Sequence, residues 1–176
     1  MVKKYITLPI SRQELLNLKA GELVFLSGTL YTARDAAHKR IVEALDNNQK
    51  TPFELKDSAI YYTGPTPARE GEVIGACGPT SSSRMDDYTP RLLDEGLKIM
   101  IGKGNRSQNV IDSMKKNKAV YLCAVGGAAA LAKKYIKSAE VIAYEDLGTE
   151  AVRKLEVENF PLIVCIDSNG NSLFDR

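Results

Sequence analysis

The apolar and polar positions of the 176-residue chain change period several times, and each change marks an element. Ser11 and Glu14 have the spacing of a capping box ahead of Leu15, Leu16 and Leu18, which predicts a short helix near residues 12–18. Residues 1–20, lying before the first main strand, read as an N-terminal arm or a sheet edge. The run Glu22-Leu23-Val24-Phe25-Leu26 predicts that strand, passing into a turn at Ser27-Gly28-Thr29. Thr32, with Asp35 three residues on, predicts the start of a helix that continues to about Asp46, with Ala37, Ile41, Ala44 and Leu45 as its apolar stripe. After the polar segment Asn47 to Pro52, Ala59-Ile60-Tyr61-Tyr62-Thr63 reads as a strand ending at Gly64-Pro65.

Residues 64–90 carry four of the seven prolines among many Gly, Ser and Thr, so loops are expected there, framing a short strand at Val73-Ile74-Gly75. Beyond Pro90 the alternation becomes regular. A helix at 90–95 closed by Gly96, a strand at 97–101, a Gly-Lys-Gly turn, a helix at 107–116 and a strand at 118–125 follow one another. Gly126-Gly127 opens a helix to about residue 136. A strand at 139–144, a loop or short helix near Gly148 to Val152, and the strand Leu162 to Ile166 before Asp167-Ser168-Asn169-Gly170 complete the pattern. The alternation predicts one α/β domain over residues 1–176, a mixed sheet with flanking helices.

Composition narrows the function. Lys plus Arg number 24 against 22 Asp plus Glu, a net charge of +2, which speaks against electrostatic attachment to nucleic acid or an anionic membrane. The longest apolar runs fall short of the roughly 20 residues of a membrane helix, and the opening residues lack a signal-peptide core, so a cytoplasmic protein is expected. Cys77, Cys123 and Cys165 are far apart and odd in number, which favours buried thiols over a disulfide framework or a self-contained zinc site. His38 is the single histidine, so a two-histidine metal site within one chain is excluded.

Four turns combine glycine with hydroxyl or cationic residues: Gly28 to Arg34, Gly78 to Arg84, Gly102-Lys103-Gly104-Asn105-Arg106, and Gly126-Gly127-Ala128. Such turns cradle anions, because glycine lets backbone N–H groups approach and an adjacent cation supplies countercharge. Arg34 in a first helical turn opposes the helix dipole at a cost of roughly 0.3–1 kcal/mol, which a bound carboxylate or phosphate reverses. The competing reading sends Arg34 into solvent or pairs it with Asp35 or a loop acid. His38, one turn later on the same face, reads as a surface or packing residue rather than a catalyst. Thr80-Ser81-Ser82-Ser83-Arg84 offers hydroxyls and a guanidinium that suit carboxylate oxygens, and equally suits a surface loop. Gly102-Lys103-Gly104 matches neither a Walker A nor a dinucleotide fingerprint. Asp86-Asp87 and Glu156 with Glu158 read as solvated charge rather than acid–base pairs.

Taken together, Gly28-Thr29, Ala33 to Lys39, Gly78-Pro79-Thr80 with Arg84-Met85-Asp86, Gly102-Lys103-Gly104 and Gly126 to Leu131 resemble the class I, iron–sulfur fumarases. The resemblance is to their C-terminal domain, a separate β subunit in two-subunit members and the same module as the β subunit of L(+)-tartrate dehydratase. It runs from about Leu8 to Phe174. It implies a swivelling β/β/α fold and reversible hydration of a four-carbon unsaturated dicarboxylate, fumarate to L-malate, or the tartrate reaction giving oxaloacetate. It also implies a four-iron four-sulfur cluster held by cysteines of a partner α subunit rather than by this chain, in an α2β2-type assembly. Carried over by position, Arg34, Arg84 and Lys103 bind the substrate carboxylates. Thr80 lies beside the carbon that gains or loses a proton, as candidate general base or as a positioning group, and Asp35 and His38 support Arg34. Ser81 stands where the family often has a second threonine. A reading of another class is a non-catalytic module that binds a phosphorylated or other anionic ligand at the glycine-rich turns.

Overall fold

A computed structural model describes residues 1–124 and 131–175. The strand β1 (Lys3–Thr7) and the helix α1 (Arg12–Asn17) come first. The capping box is reciprocal: the Ser11 hydroxyl accepts the Glu14 N–H at 3.2 Å, and the Glu14 carboxylate accepts the Ser11 N–H. Then follow β2 (Leu23–Thr32), α2 (Asp35–Asp46), β3 (Ala59–Tyr61), a one-turn 3-10 helix at Ser82–Met85, α3 (Thr89–Asp94), β4 (Ile99–Gly102), α4 (Gln108–Asn117) and β5 (Val120–Ala124). After 3-10 turns at Lys133–Tyr135 and, further on, Glu145–Glu150, the strands β6 (Ile136–Ala143) and β7 (Val152–Ile166) complete the sheet. Among the described residues no helix is long and apolar enough to cross a membrane.

The sheet is mixed and closed. β2, β3, β4 and β5 run parallel in that order, β7 pairs antiparallel with β5, and β7 pairs antiparallel with β2 as well, closing a ring of five strands. β1 extends β2 in parallel, and β6 is antiparallel to β7. Side chains alternate across the parallel strands, as the pleat requires. Ala59 and Tyr61, Ile99 and Ile101, Val120 and Leu122 point into the ring with Leu26, Leu30, Leu155 and Phe160. Ile60, Met100 and Tyr121 point outward under a helical layer that contributes Ala37 and Ile41 of α2, Leu92 and Leu93 of α3, and Val110 and Met114 of α4. This is the mixed α/β sheet with flanking helices that the alternation predicts.

Several boundaries differ from the pattern reading, each for a local reason. β2 does not turn at Ser27-Gly28-Thr29 but continues to Thr32. Gly28, at φ +116°, absorbs a bulge against β7 while Leu8 packs close over it, so these residues form sheet rather than an anion cradle. The N-cap position of α2 is Arg34, which makes no side-chain cap, and not Thr32, whose hydroxyl instead donates to Ala151 O and accepts the Arg153 N–H. Val73-Ile74-Gly75 forms no strand; Ile74 is buried under an irregular loop held by paired contacts between Thr66 and Ala76. The helix start expected at Gly126 lies outside the described residues, and the expected end near 136 is replaced by a 3-10 turn at Lys133–Tyr135 and the start of β6 at Ile136. β7 starts ten residues before Leu162, its charged Lys154, Glu156 and Glu158 alternating with buried Leu155 and Val157.

Candidate active site

The C-terminal ends of the neighbouring parallel strands β2, β3 and β4 carry the expected cations at one end of the sheet, the end at which parallel strands of α/β folds, open or closed, present their ligand-binding loops. Arg34 follows β2 directly. The loop after Gly75 is sewn onto the end of β3: Tyr61 donates its hydroxyl to Cys77 O, Thr63 donates to Gly78 O at 2.8 Å, and the Thr80 N–H donates to Tyr62 O at 2.7 Å. One step further, the Ser82 N–H donates to Lys103 O at 2.9 Å, joining the loop to the turn after β4. Thr80, Arg84 and Lys103 are thereby brought to the strand ends beside Arg34. Thr80 and Ser81 are half-buried, whereas Arg84 and Lys103 are exposed, and neither cation is paired with an acid among the described residues.

Arg34 is held without being consumed. Its Nε lies 3.8 Å from Asp35 and 3.8 Å from Glu150, too far for a hydrogen bond to either. Glu150, which no sequence signal marked, accepts the Ala36 N–H at 3.3 Å and so caps the start of α2 from the 3-10 turn before β7. The guanidinium lies over Gly64, where an added Cβ would meet Arg34 Cδ and Nη1 at 3.1 Å. The acids on either side lower the net potential here. Arg34 therefore suits a ligand carboxylate through the fork geometry of its terminal nitrogens, and Arg84 with Lys103 carries the unopposed charge.

His38 is fully buried, so it is not a helix-surface residue. Its Nδ1 is 2.8 Å from Arg34 O, a pure acceptor, so Nδ1 carries the proton and Nε2 is a bare acceptor. Burial lowers its pKa to about 4, and the ring packs edge-on against Tyr62. Among the described residues the buried side-chain polar atoms lacking a hydrogen-bond partner are Arg34 Nε, Asp35 Oδ1 and His38 Nε2, all at the start of α2.

Two acids depart from the solvated reading. Asp86 pairs with Arg106 at 2.8 Å, and Glu156 accepts the Thr29 hydroxyl at 2.6 Å, while Asp87 and Glu158 are exposed. Arg106, grouped by sequence with the cationic turn, is directed away from the surface into the helical layer, its side chain 0% exposed. Gly126-Gly127-Ala128 lies outside the described residues.

Cys77 sits inside the sheet ring and Cys165 on the helical side with half-buried Cys123 packed against the same layer. Burial pushes the Cys77 thiol up to about 11. A thiol contact between Cys165 and Cys123 lowers the pKa of Cys123 and raises that of Cys165. Thiols divided between opposite faces of a sheet do not fit one iron–sulfur cluster, and among the described residues no three Cys, His, Asp or Glu side chains converge as a metal site.

The family model described as Fumarase C-terminus matches residues 2–176. The chain is 44% identical over 167 residues to fumarate hydratase 2 of Leishmania major, covering 94% of this chain and 29% of that protein. It is 45% identical over 153 residues to the aerobic class I fumarate hydratase of Escherichia coli (strain K12), covering 86% and 28% respectively. The chain thus spans less than a third of the length of these relatives. The L(+)-tartrate dehydratase subunit beta of the same E. coli strain is 32% identical over 177 residues, with 98% of this chain and 87% of that subunit covered.

Proposed function

Since the chain belongs to the fumarase C-terminus family, we propose that it is the β subunit of a two-subunit hydro-lyase and supplies the substrate-carboxylate half of a shared active site. The reaction is reversible hydration of fumarate to L-malate. The observation that supports this reading is that Arg34, Thr80, Arg84 and Lys103 lie on segments that follow or are bonded to the neighbouring ends of β2, β3 and β4, with Arg34 free of hydrogen bonds at Nε. A dianionic four-carbon acid presents a carboxylate at each end, and cations from separate strand ends can hold both ends at once. Thr80, pinned by its backbone to Tyr62, has a hydroxyl with no protein partner among the described residues. A threonine hydroxyl titrates far above neutrality, so orienting the substrate or relaying a proton suits it better than acting alone as base. Asp35 and His38 support Arg34 from below, His38 through the Arg34 carbonyl.

The cysteines of this chain do not fit a cluster, so the four-iron four-sulfur centre that the family resemblance implies is assigned to an α partner, in an α2β2-type assembly. The near full-length match to a tartrate dehydratase subunit supports a second substrate, L-tartrate giving oxaloacetate. Oxygen-free purification of the chain with its partner, followed by turnover on fumarate, L-malate and L-tartrate, tests both. Arg84→Ala in the assembled enzyme is expected to weaken transition-state binding by about 2–5 kcal/mol, because partner and substrate bury the charge that this chain alone exposes. Unchanged kcat/KM sinks the assignment of Arg84. Tight binding of inorganic phosphate by the chain alone, without partner or turnover, would favour an anion-binding module instead.

A further inference from the structure

Arg84 and Lys103 sit on segments that are remote in sequence, a one-turn helix and a strand-end turn, and neither segment has enough regular structure to fix its own position. One buried side chain spans the two. The Arg106 Nε donates to Asp86 Oδ1 at 2.8 Å, and the Ser107 N–H donates to Asp86 Oδ2 at 2.8 Å, so both oxygens of one carboxylate tie the residues after Arg84 to those after Lys103. The Arg106 Nη2 donates to Thr89 Oγ1 at 3.0 Å and to the Tyr62 hydroxyl at 3.3 Å. Its guanidinium carbon stands 5.2 Å and 4.9 Å from the ring centroids of Tyr62 and Tyr121. The Tyr121 hydroxyl donates to Gly104 O at 2.8 Å and contacts Ser82 Oγ at 2.7 Å. Gly102 leaves room for this contact, since a Cβ there would collide with the Ser82 hydroxyl and the Tyr62 ring. Arg84 is therefore bracketed by two pinned residues, Ser82 and Asp86, and Lys103 by two more, Gly102 and Gly104.

We propose that Arg106 is a positioning residue that, with Asp86 and Tyr121, fixes the spacing of Arg84 and Lys103. The proposal rests on the functional reading above. Asp86 neutralises Arg106 locally, so Arg106 does not compete as a substrate ligand. A buried ion pair adds little net stability over an apolar pair of the same volume, and its contribution here is geometry. A misplacement of about 1 Å at such a site can cost on the order of 100-fold in rate.

The test uses the chain assembled with its partner. Arg106→Lys keeps the charge beside Asp86 and removes the fork; kcat/KM for the dicarboxylate is expected to fall about 10- to 100-fold. In an Arg84→Ala background the same substitution is expected to cost less than about threefold, because what it positions is gone. Tyr121→Phe keeps the ring beneath the guanidinium, removes only the hydroxyl bridge, and is expected to act in the same direction by about 3- to 10-fold, which covers the case where Arg106→Lys does not fold. Amide hydrogen exchange at Ser82 and Ser107 should rise in Arg106→Lys while Ile101 in β4 stays protected. Equal losses with and without Arg84, or unaltered exchange at Ser82 and Ser107 in an active enzyme, overturn the proposal alone. A wild-type assembly that turns over neither fumarate nor tartrate overturns the functional reading and the proposal with it.

Discussion

Two arginines at the same end of the sheet are built in opposite ways. Arg106 is enclosed, and its donors meet a carboxylate, two hydroxyls and a thioether, with aromatic faces beside it. Burial by itself disfavours its charge, yet Tyr62 and Asp86 more than offset that and raise its pKa. Arg34 is partly open, its Nε stands off from two acids, and the next turn of helix holds a histidine with a bare ring nitrogen. Buried polar groups are normally satisfied, so orphaned atoms gathered at one helix start call for an explanation, whereas a saturated cluster explains itself. The lesson is that a cation completed by its own chain holds the fold, and a cation left incomplete is available to a ligand.

The contrast can be broken most directly through stability. Arg106→Met leaves the Asp86 carboxylate, only 12% exposed, without its cation, and urea unfolding should show a loss of about 3–5 kcal/mol. Arg34→Met should change stability by less than about 1 kcal/mol while abolishing most turnover in the assembled enzyme. Equal stability losses would erase the distinction. Next comes His38. Its folded pKa near 4 lies below the ordinary 6.5, so as pH falls the unfolded chain takes up the proton first. Stability is full above pH 6.5 and declines by up to about 3 kcal/mol on the way to pH 4. His38→Asn should flatten that slope in unfolding measured across the window, and an unaltered slope would show that His38 is not held neutral.

Gly64→Ala sharpens the comparison on the Arg34 side. The new Cβ meets Arg34 and Thr149 O at 3.1 Å, an overpacking expected to cost about 1–3 kcal/mol and to displace the guanidinium, read as a raised KM for the dicarboxylate. The smallest effect belongs to Ser107→Ala. It removes the cap on the Val110 N–H for about 1 kcal/mol in thermal unfolding, but leaves the Ser107 backbone N–H on Asp86 and so should spare turnover.

Much of this was legible from local pattern. Ser11 with Glu14 gave the first helix, the stripe Ala37, Ile41, Ala44 gave α2, and two of the four glycine-rich turns, Gly78 to Arg84 and Gly102 to Arg106, lie at the strand ends, whereas Gly28 turned out to be sheet. Other features carried no local signature. Asp86 and Arg106 are 20 residues apart, and nothing near either distinguishes a buried pair from two solvated charges. Glu150 reaches α2 across 114 residues. Early β7 alternates correctly, but its charged residues mask a strand whose other face fills the ring.

The sequence by itself determined most of the helices and strands, the α/β class and the turns able to meet an anion, because caps, periodicity and turn chemistry act within a few residues, while the dicarboxylate came from the resemblance to class I fumarases. Only the tertiary structure decided which cations are spent and which remain free. Closure of the sheet through β7 and the packing of Tyr62 and Tyr121 around one guanidinium set burial and partnering, and an ion's role follows from its solvation and its partners rather than from its identity.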